Sequence, residues 1–251
     1  MPAIDAAAYR SPWRRLHPAV KGVLFGGLLV CALVLPAWPA APLAAAAAVG
    51  AVLGPARVAP RAYAGAVWGP LLFVLTGAAA LLVSVGGPGG AVAMAADGGA
   101  RAAEVAGRAA AAVCCQVGFA CTTPLAEVLP RLTRAGVPEP VVEVVALVYR
   151  MLFVALEGVR RIQAAQAARL GYSGWRPWIR SAGALGAALF VRSYDRSRRL
   201  QRGLECRGYT GALTVLVEET PLRPAALAAA AAPALLVAAV ALGPSALGAA
   251  L

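Results

Sequence analysis

The chain runs to 251 residues, 61% of them hydrophobic, with a formal net charge of +12 and a mean hydropathy of +0.73. That composition excludes an ordinary soluble domain and predicts a membrane protein. The charge does not argue for nucleic acid, because no recognition helix, zinc finger or aromatic-basic module accompanies it. Cations facing anionic lipid, at about 1 kcal/mol each, account for most of it.

Arg10, Arg14, Arg15 and Lys21 lead into residues 22–56, which carry no charged side chain. A spanning helix needs about 20 apolar residues, so this run is long enough for a hairpin. Pro36, Trp38, Pro39 and Pro42 mark its turn, giving spans over 20–37 and 41–57. A third span is expected over 63–85, running into the Gly/Pro turn at 86–90. Residues 105–123 make a weaker fourth, interrupted near its start by Arg108. The fifth covers 225–247. No cleavable signal pattern precedes them, since charges continue to Lys21 and the apolar run behind it is too long. Placing the N-terminus in the cytoplasm leaves only Arg101 and Arg108, of 23 Lys and Arg, on the outer side. Positive charge favours the cytoplasmic face, so that orientation is expected, with the C-terminus outside.

Between the fourth and fifth spans lies a large, Arg-rich segment. Thr122-Thr123-Pro124 is a helix start with Thr as cap and Pro in the first turn. A short amphipathic helix should run from there to Arg134 and stop at Gly136-Val137-Pro138. A long helix is expected over 140–170. In its first half Glu143, Arg150 and Glu157 recur every seven residues and share a face. A sixth span would place those charges in lipid; a helix lying along the membrane, or packed beneath the bundle, uses the same pattern at less cost. Another helix is expected over 175–206, apolar at its start and basic at its end. Read as an elongated pair, the two have apolar beginnings in the membrane and basic tips in the cytoplasm.

Those tips end alike: Ala168-Arg169-Leu170-Gly171-Tyr172 and Cys206-Arg207-Gly208-Tyr209. Each Arg falls in a last helical turn, where a cation complements the helix dipole, and each Gly is expected to take the left-handed cap. One such ending is ordinary. Two, in the most Arg-dense part of the chain, read as a pair of contact points for a soluble partner.

Several activities are removed by absence. Lys21 is the only lysine and Val20 precedes it, so the Gly-Lys-Ser/Thr of a phosphate-binding loop cannot be built. ATP-driven work would have to use another polypeptide. His17 is the only histidine, which excludes His-based metal sites and Ser-His-Asp chemistry; a structural role is expected for it. Cys31, Cys114, Cys115, Cys121 and Cys206 form no Cys-x-x-Cys pair and read as small apolar residues. Asp97-Gly98-Gly99-Ala100-Arg101 is one residue short of an alcohol-phosphotransferase motif, and the carboxylates that chemistry needs are missing. Gly22-x-x-x-Gly26 and Gly65-x-x-x-Gly69 permit close helix contact.

The run Trp13-Arg14-Arg15-Leu16-His17-Pro18-Ala19-Val20-Lys21 resembles the N-terminal signature of the transmembrane coupling subunit of energy-coupling-factor transporters, in the CbiQ-type cobalt/nickel branch. Thr122-Thr123-Pro124, the Gly136-Val137-Pro138 break, Tyr149-Arg150 and the two Arg endings continue the resemblance in order, over residues 13 to about 211. It implies an all-α polytopic membrane protein: about five transmembrane helices, a short amphipathic helix and two long cytoplasmic coupling helices. In that family each coupling helix ends in an Ala-Arg-Gly motif whose Arg docks into a groove on an ATP-binding-cassette subunit. Carried over, the motifs are Ala168, Arg169 and Gly171, with Leu170 intervening, and Cys206, Arg207 and Gly208, with Cys in the place of Ala.

The resemblance also implies two ATPase partners that use the ATP, a separate CbiM-like membrane subunit that captures the metal ion, and a bilayer around both. This chain would hold no cofactor or metal and catalyse nothing. The expected division is a cytoplasmic segment over 1–21, four spans within 22–123, a coupling module over 124–223 and a last span within 224–251. Two other classes compete: a self-sufficient secondary transporter, against which the spans offer almost no charged groups for an ion path, and a structural membrane protein whose basic segment binds lipid.

Overall fold

Prolines and turn residues cut the apolar sequence into helices. In the computed structural model, which describes residues 3–85, 92–94, 97–209 and 222–248, α1 spans Ala3–Arg10 and a 3-10 turn follows at Pro12–Arg15. Ser11 caps that turn by accepting from the Trp13 backbone N–H. His17 caps α2, Pro18–Val34, its Nδ1 accepting from the Ala19 N–H at 3.1 Å. The expected structural role of the histidine is thus an N-cap, with Pro18 in the first turn where its missing N–H costs nothing. Then come α3, Ala37–Leu53; α4, Pro60–Ala80; α5, Gly98–Thr122; α6, Leu125–Arg134; α7, Glu139–Ala168; α8, Trp175–Glu205; and α9, Pro224–Gly248.

The fold is all-α and polytopic. By length and composition α4, α5 and α9 are long and apolar enough to cross a membrane, and α2 and α3 are shorter apolar helices of 17 residues each, at the lower limit for a span. The third expected span stops being helical at Ala80. Beyond it, strands β1, Val83–Val85, and β2, Val92–Met94, pair antiparallel, Val83 opposite Met94. Their β-branched residues fit a pleated ribbon better than a helix. The expected turn at 86–90 lies outside the described residues. At α5 the charges expected to weaken the span are paired: Arg108 binds Glu104 one turn earlier at 3.0 Å and donates to the Leu33 carbonyl.

The chain divides into two compact units, residues 1–128 with 218–251 and residues 129–217. The first is built around α3, whose buried Ala37, Ala40, Ala41, Ala44, Ala48 and Val52 follow the helical repeat. Small residues here let α2, α5 and α9 approach closely. Gly118 of α5 is the tightest point, since a Cβ there would meet Phe25 at 2.7 Å and Val52 at 3.0 Å. Gly22, Gly26, Gly65 and Gly69, expected to serve close contact, face open space. Gly27 and Gly118 do that work instead.

Three long-range contacts gather at one end of this bundle. Ser11 Oγ donates to the Ala56 carbonyl at 2.8 Å. Lys21, 1% exposed, donates from Nζ to the Thr122 carbonyl at 3.0 Å. Arg14 pairs with Glu127 at 3.3 Å. The N-terminal segment, the α3–α4 turn and the end of α5 therefore share a side. The expected threonine cap of α6 is not seen: Thr122 is the last residue of α5, and its hydroxyl turns back to the Gly118 carbonyl. Thr123 Oγ1 is buried and unbonded, and α6 begins after Pro124.

Candidate functional site

The second unit is dominated by α7 and α8, joined by residues 169–174. Their contacts run in opposite directions along the chain. Gln166 Nε2 donates to the Ser181 carbonyl at 2.9 Å, Gly158 lies 3.8 Å from Leu189 by its would-be Cβ, and the Tyr209 hydroxyl donates to Glu143. The pair is an antiparallel hairpin. This corrects the expectation of two tips at one end: the end of α7 lies beside the start of α8, and the end of α8 beside the start of α7. Spaced along a helix of 31 residues, Arg169 and Arg207 stand about 45 Å apart at a rise of about 1.5 Å per residue. An upright pair would bury one of its basic ends with the apolar start of its neighbour, so the hairpin cannot place both beginnings in lipid and both tips in water.

The two ends have the same local geometry. At the first, the Leu170 N–H bonds the Ala167 carbonyl at 3.0 Å and the Gly171 N–H reaches Gln166 at 2.8 Å. At the second, Gly208 bonds Glu205 at 3.1 Å and Tyr209 reaches Leu204 at 3.0 Å. Both are the paired 5→2 and 6→1 bonds of a Schellman ending. In that register Arg169 matches Arg207 and Ala168 matches Cys206. All four are exposed.

The left-handed residue is where the ends differ. Gly208 has φ +72°, as expected. At the first end it is Leu170, φ +57°, that turns left-handed, not Gly171; for a residue with a β-carbon that costs about 1–2 kcal/mol. Gly171 is required for another reason. A Cβ on it would lie 2.6 Å from Ser181 Oγ and 2.9 Å from the Gln166 carbonyl.

Residues the sequence reading passed over hold these ends in place. Ser181 Oγ donates to the Gly171 carbonyl at 2.9 Å, and the Tyr172 hydroxyl donates to Gln166 Oε1 at 2.6 Å. At the far end the hydrogen bond to Glu143 pushes the Tyr209 phenol above its usual pKa range, because a carboxylate acceptor favours the protonated hydroxyl. Each ending thus carries a Tyr that ties it to a neighbouring residue. The signal for them in the sequence is the repeated Gly-Tyr pair, Gly171-Tyr172 and Gly208-Tyr209.

The first half of α7 carries exposed Val141, Val144, Val145, Val148 and Leu152. At 100° per residue these fall on one stripe, opposite Glu143, Arg150 and Glu157. Glu157 pairs with Arg161 one turn on, and Glu143 holds Tyr209. Among the described residues no three His, Cys, Asp or Glu side chains come together in a metal-holding group. Cys114, Cys115 and Cys121 are buried, and Cys206 is exposed.

Residues 10–218 match the family model CbiQ, described as cobalt transport protein. The chain is 37% identical over 224 residues to the cobalt transport protein CbiQ of Rhodobacter capsulatus, covering 89% of each. It is 27% identical over 232 residues to a putative fused cobalt transport protein CbiMQ of Methanocorpusculum labreanum, with 88% of this chain matching 39% of that one. An uncharacterised protein of Methanocaldococcus jannaschii, MJ1089, is 32% identical over 110 residues, 44% of this chain and 41% of that one. With most of its length matched and its apolar helices in the order expected of a membrane transport component, the chain belongs to the CbiQ cobalt transport protein family.

Proposed function

We propose that this chain is the non-catalytic coupling subunit of an ATP-driven importer for cobalt or nickel ions. Two ATPase subunits grip its hairpin, one at Arg169 and one at Arg207, and ATP binding between them moves the hairpin. That motion passes to a separate membrane subunit which captures the ion. ATP is bound and hydrolysed by the partners, and this chain holds no cofactor. The observation that carries the reading is the equivalence of the two ends: the same helix ending, with the same exposed guanidinium at the same position, about 45 Å apart along one hairpin. Two points that far apart suit two bodies, not one.

The relative in which CbiM and CbiQ names are joined in one chain supports a CbiM-like partner in the same membrane. The apolar stripe of α7, set opposite its charges, supports a helix lying along the bilayer surface or beneath a bundle over one that spans. In this reading the N-terminus is cytoplasmic and the C-terminus outside.

Removing one member of a desolvated charge pair costs about 2–5 kcal/mol. Arg169→Ala combined with Arg207→Ala should therefore release the ATPases during copurification in mild detergent and abolish ATP-dependent cobalt uptake, while membrane insertion persists. A double variant that keeps its ATPases and full uptake refutes the assignment.

A further inference from the structure

Leu170 is the outlier of the hairpin. Its backbone is left-handed, φ +57°, and its side chain is 74% exposed. Packing within the chain therefore does not offset the strain. The turn does not demand it either, because Gly208 fills the same position at the other end without a side chain. Exposed leucines scattered singly over a surface are ordinary; a leucine held exposed in a conformation that glycine would adopt freely is not. The surroundings are fixed as well. Gln166, Tyr172 and Ser181 lock residues 166–172 to the start of α8, and Gly171 admits Ser181 Oγ at a distance that no β-carbon would allow. The result is an isobutyl group set in solvent in a defined direction, next to the exposed guanidinium of Arg169.

We infer that Leu170 is an apolar anchor, seated in a socket of the ATPase that grips Arg169. The inference rests on the coupling reading above. It names what that ATPase surface must offer: a hydrophobic pocket the size of one aliphatic side chain, beside the acceptor that takes the arginine. Moving one leucine side chain from water into such a pocket is favourable by about 1.5–3 kcal/mol. The two ends of the hairpin then dock unequally. The Arg169 end brings a cation and an anchor; the Arg207 end brings a cation and a bare glycine, so its ATPase is held by charge and backbone alone.

The test uses a substitution that separates docking from folding. Leu170→Gly relieves the left-handed strain and copies the other end, so thermal unfolding of the variant should come at or above the wild-type temperature. Its affinity for the ATPase subunits that copurify with the wild-type chain should nonetheless fall by about tenfold or more, the loss expected when one leucine is no longer buried. Leu170→Met should restore most of it. If Leu170→Gly binds as the wild type does while Arg169→Ala does not, the anchor is refuted and the coupling reading stands. If Leu170→Gly loses binding together with thermal stability, the leucine serves the fold and the anchor is again refuted. Full binding by Arg169→Ala and Arg207→Ala would instead remove the coupling reading itself.

Discussion

Gly118 shows how a single side chain sets the packing of the membrane bundle. Phe25 and Val52 are buried on either side of it, so neither can withdraw when a methyl group is added between them. Gly118→Ala should cost about 1–3 kcal/mol, the usual penalty of overpacking, and lower the unfolding midpoint in detergent by several degrees. An unchanged midpoint would mean that α2 and α3 yield at that point. At this scale the sequence was only partly legible. Small-residue spacing named Gly22, Gly26, Gly65 and Gly69, which face open space, and passed over Gly27 and Gly118. Spacing reports which residues share a helix face, but which face meets a neighbour is decided by helix rotation. Lys21 is similar: as the only lysine it bore on ATP chemistry, and nothing in the sequence announced its bond to the end of α5.

At the scale of elements, helix limits were readable because they rest on local chemistry. Pro18, Pro60 and Pro224 open helices, and Gly136 and Gly208 close them in the left-handed region. The direction in which α7 and α8 pair was not readable. An amphipathic helix carries the same periodicity beside a parallel or an antiparallel neighbour, and the contacts of Gln166 with Ser181, Gly158 with Leu189 and Glu143 with Tyr209 reveal the hairpin. Gly171 offers a direct check. Gly171→Ala should push Ser181 and Gln166 apart and break the bonds that close the turn, at about 1 kcal/mol for each bond lost. Amide hydrogen exchange over 166–181 should then accelerate about fivefold or more, with 139–155 unchanged. Equal exchange in both variants would mean that the turn has room it does not display.

Across the whole molecule, charge alone predicts which ends of the spans share a side. The contacts of the first unit agree with it as far as they reach: Ser11 with Ala56, Lys21 with Thr122 and Arg14 with Glu127 draw the N-terminus, the α3–α4 turn and the exit from α5 to one end. The proposed coupling role requires residues 129–217 to lie on the cytoplasmic side of the membrane. The cysteines make this measurable without mutation. Cys206 is exposed, Cys114, Cys115 and Cys121 are buried, and Cys31 is half-buried in α2. A membrane-impermeant maleimide should therefore react at one site in the folded protein. Reaction at Cys206 is expected in inside-out vesicles and not in intact cells, and denaturation in detergent should bring in the other four thiols. Labelling of Cys206 from the outer face would invert the topology, and with it any access of an ATPase to Arg169 and Arg207.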